Sequence, residues 1–303
     1  MTKLFEATLL NGIKLNNRFI RSATNEGLAS DSGLVTPELI AVIAALAEGR
    51  IGLIISGHSY VSAEGRANAR KLAIDRDECL PGLRQLVDSA HCRGVAMVAQ
   101  LAHAGAQSVD AASAIGPSAI PRSRGDGVCR IMNLNDIKRI VDAFGQAAKR
   151  ARMAGFDGVQ IHAAHGYLLS QFLSPFYNRR TDEYGGDLNG RMKIVREVVR
   201  AIKRDAGEDY PVLIKINSED FISGGLTVAE SLEAVKKLQA DGLDAVEISG
   251  GTPDSMAGFD PVRKGMLAVE QEIYYRDAAK KFKTELSIPV ILVGGIRSIA
   301  AAE

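Results

Sequence analysis

The run Val212-Leu213-Ile214-Lys215-Ile216-Asn217, the segment 227–241 and the run Ala245-Val246-Glu247-Ile248-Ser249 together decide the fold. Two short apolar runs flank a segment whose apolar residues return every three to four positions, which reads as strand, helix, strand. Alternation of this kind implies a parallel sheet with right-handed crossovers. On the N-terminal side, further apolar runs occupy 18–23, 51–56, 95–100 and 158–162; on the C-terminal side another occupies 290–293. Amphipathic segments alternate with them at 36–48, 80–93, 134–154, 191–205 and 273–285, with Ile137, Ile140, Val141 and Phe144 showing the spacing. Few polar residues alternate within the strands, so burial on both faces is expected. Seven strand–helix units, the last helix begun by residues 298–303, predict an α/β fold of the TIM (β/α)8 barrel type, one unit short of closure. Segment 7–15, with Asn11-Gly12 as its turn, predicts a small hairpin that caps the barrel bottom. A doubly wound sheet is the alternative, but no GxGxxG follows the first strand.

No linker, charge block or low-complexity tract divides the 303 residues, so one domain over 1–303 is expected. Hydrophobic residues make up 46% of the chain and charged residues 24%, ordinary values for a globular protein. Lys and Arg number 37 against 36 Asp and Glu, a net charge of +1 that favours neither nucleic acid nor an anionic membrane. Cys79, Cys92 and Cys129 are scattered and form no CxxC pair, which argues against a disulfide framework, a zinc site or an iron–sulfur cluster. Residues 1–14 lack a signal-peptide pattern, and no apolar run approaches the ~20 residues of a spanning helix. A cytoplasmic location and a small-molecule partner follow as expectations.

Barrel active sites are built at the C-terminal ends of the strands. Those positions hold Ser22-Ala23-Thr24-Asn25, His58, Gln100 with His103, His162 with His165 and Tyr167, Lys215 with Asn217, and Gly294-Gly295. His162 and His165 lie three residues apart, so both imidazoles can address one oxygen; paired N–H donors suit a carbonyl that gains negative charge. Tyr167 follows, and a phenol of pKa near ~10 suits proton donation to carbon. Two hydrogen-bonded structural histidines, or a metal chelate without nearby carboxylates, are the other readings of this segment. Lys215 sits in an apolar run and needs an anionic partner. That partner is either the N1–C2=O edge of a reduced flavin or Glu247 on strand six. Gln100 offers the paired donor and acceptor of a flavin pyrimidine edge, or is a buried structural glutamine. Gly294-Gly295 places backbone N–H groups at a helix start, where barrels often take phosphate, although any tight turn uses the same dipeptide.

Taken together these residues resemble the Old Yellow Enzyme family of FMN-containing NADH:flavin oxidoreductases. The resemblance runs through Leu4-Phe5, Leu15-Asn16-Asn17-Arg18 and Ala99-Gln100-Leu101-Ala102-His103-Ala104-Gly105. It is densest from Gly155-Phe156-Asp157 through His162, His165, Tyr167 and Phe172-Leu173-Ser174-Pro175, then Asn178, Arg180, Asp182, Tyr184-Gly185-Gly186 and Arg191. It implies that Gln100 and Lys215 bind the isoalloxazine, that Gly294 and Gly295 bind the FMN phosphate, and that Ser22, Ala23, Thr24 and Asn25 line the flavin. His162 and His165 would hold the acceptor's oxygen and Tyr167 would protonate it. The implied cycle is ping-pong: NADH or NADPH reduces FMN, which then reduces an activated alkene, a quinone or a similar electron-poor acceptor. Homo-oligomers are common in such families.

Three departures stand out. Asn25 occupies a position where relatives often carry Thr or Cys, which bears on redox tuning. No cysteine cluster supports the iron–sulfur and second nucleotide domains of the larger dienoyl-CoA reductases. The eighth strand with its Gly-Arg phosphate contact has no counterpart before Glu303. Losing two or three charge-assisted hydrogen bonds at about 1.5–3 kcal/mol each implies FMN binding weakened at least ~100-fold, with unpaired edges on strands one and seven. Two competing functions remain at this level: a metal-dependent barrel hydrolase using His58, His103, His162 and His165, and a non-catalytic incomplete fragment of the flavoenzyme.

Overall fold

The computed structural model describes residues 3–122, 126–263 and 268–303. Seven parallel strands follow one another in strict chain order: β1 (Ile20–Arg21), β2 (Leu53–Ile55), β3 (Ala96–Ala102), β4 (Gly158–Ala163), β5 (Val212–Asn217), β6 (Ala245–Ser249) and β7 (Val290–Leu292). The helices between them are α1 (Pro37–Glu48), α2 (Leu80–His91), α3 (Leu134–Ala154), α4 (Leu168–Leu173), α5 (Leu188–Ala206), α6 (Val228–Ala240) and α7 (Arg276–Glu285), and α8 (Ile299–Ala302) follows β7. The expected α/β barrel architecture is therefore present as a seven-stranded, open barrel. The strand pairing ends at β1 and β7, and a groove of about 730 Å³ lies between Phe19 and Ile20 on one side and Val290 and Leu292 on the other.

Each strand divides its side chains between two surfaces, because successive residues point to opposite faces. On β5, Val212, Ile214 and Ile216 join the apolar layer under the helices, while Leu213 joins a second cluster inside the barrel. The same period places Val159 and Ile161 of β4 and Val246 and Ile248 of β6 beneath the helices. Helix ends follow local chemistry. Thr36 accepts the amide N–H of Leu39 to cap α1, and Thr227 with Glu230 forms a capping box at α6. Asp187 caps α5 through the N–H of Gly190, which starts that helix three residues earlier than its apolar spacing indicates. Helix α4 has no sequence signature, because all six of its residues are buried and none forms a polar face.

The hairpin forms as expected. Thr8–Leu10 pairs antiparallel with Ile13–Leu15, and Asn11 (φ 40°) and Gly12 (φ 96°) supply the two positive φ values of a two-residue turn. Leu10, Ile13 and Leu15 pack against Leu53, Ile55, Val98, Leu213, Ala245 and Ile291, closing the barrel bottom with hydrocarbon. The polar side chains of the interior lie at the opposite end, above that floor.

Candidate active site

Above the apolar floor the interior of the barrel turns polar. Gln100 Nε2 donates to Gln160 Oε1 at 2.7 Å, and Gln160 Nε2 donates to Glu247 Oε2 at 2.8 Å. Lys215 Nζ donates to Glu247 Oε1 at 2.7 Å and to Ser22 Oγ at 3.0 Å, and Ser22 Oγ itself donates to Glu247 Oε1 at 2.6 Å. Five side chains from β3, β4, β5, β6 and the end of β1 thus form one connected layer. Burial pushes the Glu247 carboxyl up, but the Lys215 charge and the hydrogen bonds from Lys215, Ser22 and Gln160 outweigh it, and the group stays below the usual carboxylate range. The alternative of a Lys215–Glu247 salt bridge is realised, and Lys215 nonetheless lines the cavity above it.

That cavity has a volume of about 670 Å³, within the range of small-molecule and cofactor sites. Its lining includes Ser22, Ala23, Thr24, Asn25, Gln100, His162, His165, Tyr167, Lys215 and Gly294, so the sequence-predicted residues converge on one space. Gly295 does not line it. Gln100 lies inside β3 rather than at its end, because the strand continues to Ala102. His103 faces elsewhere: it is fully buried, and its Nδ1 accepts the N–H of Gly105 at 3.0 Å. Of the four histidines in the hydrolase reading, His58, His162 and His165 line the cavity and His103 does not, and among the described residues no group of three or more His, Cys, Asp or Glu is placed to hold a metal ion.

The histidine pair is held with care. His165 has φ 62°, a left-handed conformation that costs free energy for a residue with a Cβ. Asn217 Oδ1 accepts its N–H at 3.1 Å, and Gln107 Nε2 donates to the carbonyls of His165 (3.0 Å) and Gly166 (2.7 Å). His165 Nε2 lies 2.7 Å from Ser249 Oγ. The His162 ring meets those of His165 at 5.1 Å and Tyr167 at 4.9 Å, each close to perpendicular. Nδ1 of His162 is buried and has no hydrogen-bond partner among the described residues. Burial, helped by His165, His58, Lys215 and Lys71, holds His162 well below the usual histidine range, and burial with Lys215 pushes His165 down to about 3. Both rings are therefore neutral at pH 7, each carrying a single N–H.

Several residues of the site were not legible from strand ends. Gln160 and Glu247, in the buried layer beneath the cavity, sit two residues before His162 and Ser249, and reading every second strand residue inward identifies them. Gln107, Asn68, Lys71, Pro253, Pro261, Tyr274 and Tyr275 come from loops. Gly294 has φ 121°, a conformation that residues with a Cβ rarely adopt, and a Cβ there would stand in tight contact, 3.2 Å from both Tyr274 and Tyr275.

Comparison with known proteins agrees with this geometry. The model of the NADH:flavin oxidoreductase / NADH oxidase family matches residues 3–303. An NADH oxidase of Thermoanaerobacter brockii is 34% identical across 99% of this chain and 46% of its own length. An NADPH dehydrogenase of Listeria monocytogenes is 35% identical across 88% of this chain and 81% of its own. The solved structure of the Old Yellow Enzyme homologue from Zymomonas mobilis superposes with a TM-score of 0.82 at 24% identity, covering 99% of this chain and 84% of that one. The chain spans about half the length of the first of these relatives, so its size does not separate short members from extended ones. With a whole-chain match, a barrel shared with Old Yellow Enzyme homologues and the polar layer under one cavity, the chain belongs to the NADH:flavin oxidoreductase / NADH oxidase family, an FMN-dependent family of oxidoreductases.

Proposed function

We propose that residues 1–303 act as one FMN-binding domain that uses NADH or NADPH to reduce an activated alkene, a quinone or a similar electron-poor small molecule. The observation that carries this reading is the buried, unpartnered Nδ1 of His162 in the wall of a cavity whose floor is the Gln100–Gln160–Glu247–Lys215–Ser22 layer. The residues present fit FMN. Gln100 and Lys215 would offer an amide and an ammonium group to a pyrimidine edge, Ser22 to Asn25 would line the ring, and Gly294 would offer its backbone at a positive φ that favours glycine. Gly295, outside the lining, would contribute to the phosphate only through its backbone. When bound, FMN supplies the transfer of two electrons and a proton from NAD(P)H to the acceptor.

The chain's own groups do the rest. His162 and His165, kept neutral, donate N–H bonds to the acceptor oxygen as it gains negative charge, without competing for the proton. Asn217 and Gln107 fix the His165 backbone, so this donor is in place before reaction. Tyr167 delivers the proton to the α-carbon and thereby completes saturation of the alkene. Glu247 answers the Lys215 charge when no anion occupies the cavity. A small acceptor rather than a polynucleotide suits the net charge of +1, and no helix of the described residues is long and apolar enough to cross a membrane. A cytoplasmic location, with Cys79, Cys92 and Cys129 as free thiols, and association into homo-oligomers belong to the same reading.

The test is anaerobic visible spectroscopy of the FMN-loaded protein. NADH or NADPH is expected to bleach the flavin, and cyclohexenone or menadione to restore its colour. Failure of both nicotinamides to bleach bound flavin overturns the assignment.

A further inference from the structure

We infer that Asp220 is a positioning residue for reduction of the acceptor, holding Asn217 and, through Asn217, the backbone of His165; the inference rests on the reductase reading above. Asp220 lies in the loop after β5, is 0% exposed, and is not among the described residues that line the cavity. A buried carboxylate is retained where donors answer it. Here both of its oxygens are answered by N–H groups. Asn217 Nδ2 donates to Asp220 Oδ1 at 2.8 Å, and Leu226 N donates to Asp220 Oδ2 at 2.9 Å. Burial raises the Asp220 carboxyl above its ordinary range, and each of these hydrogen bonds counters that by favouring the anion.

The Asn217 amide is held in one orientation. Its Nδ2 also donates to the Gly251 carbonyl at 3.0 Å, so acceptors take both of its protons. Its Oδ1 is left to accept the N–H of His165 at 3.1 Å. The φ of 62° at His165 is of the kind that persists only where the surroundings over-determine it. The main chain of Asp220 secures a neighbouring part of the wall. Its carbonyl accepts Ser255 Oγ at 2.6 Å, Ser255 Oγ accepts the N–H of Thr252 at 2.7 Å, and the next residue, Pro253, lines the cavity. Gly166, directly after His165, abuts that turn: a Cβ there would stand 2.9 Å from Pro253 Cδ. The loops after β4, β5 and β6 therefore meet around Asp220, behind the rings proposed to hold the acceptor.

An amide in place of this carboxylate breaks the chain. In Asp220→Asn the new NH2 group faces either the Leu226 N–H or Asn217 Nδ2, and both are donors. Turning the Asn217 amide to relieve the second contact points its own NH2 at the His165 N–H. Asp220 touches neither acceptor nor flavin in this account; it acts through Asn217.

The experiment is stopped-flow oxidation of the reduced, FMN-loaded protein. In Asp220→Asn, oxidation by cyclohexenone should slow roughly 10- to 100-fold through misplacement of His165. Oxidation by ferricyanide, which takes electrons without an oxygen for the histidines to hold, should keep its wild-type rate. Asp220→Ser, which removes the carboxylate without adding an NH2 group, should show the same split. On an Asn217→Ala background, Asp220→Asn should cost nothing further, because its effect travels through Asn217. Equal losses with both oxidants, full additivity with Asn217→Ala, or unchanged oxidation by cyclohexenone overturns the proposal. So does loss of bound FMN in both Asp220 variants, which would make Asp220 a residue of the fold alone. Wild-type flavin that no nicotinamide bleaches would instead defeat the reductase reading, and the role of Asp220 with it.

Discussion

The floor of the barrel and the layer two residues above it are built from the same strands, yet they are held together by different physics. On β5, Leu213 packs into hydrocarbon with Leu10, Ile13 and Leu15, while Lys215 enters a network with Glu247 and Ser22. On β6, Ala245 belongs to the floor and Glu247 to the network. The floor needs only volume and apolarity, and its contacts are non-directional. The upper layer needs specific partners, because each buried donor or charge left unmatched costs the full desolvation penalty. Stability and chemistry are thus stacked along one strand, with a period of two separating them.

The largest test of that contrast places methionine at both positions. Lys215→Met leaves the Glu247 carboxylate buried without its cation, and should cost about 3–5 kcal/mol in urea unfolding. A loss under ~1 kcal/mol would show that the layer is not held by this pair. Next in size is His162→Ala, which removes an N–H donor from the acceptor. It should slow reduction of an enone by roughly 100- to 1000-fold, while stopped-flow reduction of the flavin by NAD(P)H stays near the wild-type rate. Equal losses in both half-reactions would remove His162 from the acceptor site.

A smaller effect concerns pH. The folded states of His162 and His165 resist protonation, whereas the unfolded chain takes up a proton on each below about pH 6.5. The unfolded state binds more protons, so stability rises with pH between about 3 and 6.5, by at most ~1.4 kcal/mol per pH unit for each ring. Denaturant midpoints of the flavin-free protein should therefore fall on acidification from pH 7 to 4.5, less steeply in His165→Gln. An equal slope in that variant would mean that His165 is protonated in the folded protein. The smallest effect belongs to the floor: Leu213→Met conserves volume and should cost less than ~1.5 kcal/mol. A larger loss would show that the floor is as exacting as the layer above it.

Much of this architecture is visible in the amino-acid order. The period of 3.6 at Ile137, Ile140, Val141 and Phe144 locates α3 to the residue, and Asn11-Gly12 announces its turn through backbone conformation alone. The strand-end rule brings His162, His165, Tyr167, Lys215 and Gln100 to one cavity. It misplaces His103, because β3 runs on to Ala102 and the chain turns that imidazole into the protein instead. It passes over Gln160, a polar residue inside an apolar run, since hydrophobicity averaged along a strand hides which face each residue takes. Lys71 and Gln107 come from loops, whose course depends on tertiary contacts such as the Tyr60–Ala73 bridge rather than on any local period.

The polar layer is read here as the floor of a flavin site, and an FMN titration followed by flavin fluorescence tests it. The wild-type chain should bind FMN saturably at one per chain, Leu213→Met should bind it equally well, and Lys215→Met should bind it at least tenfold more weakly. Absence of saturable binding to the wild-type chain, or equal affinity in Lys215→Met and Leu213→Met, would contradict that reading.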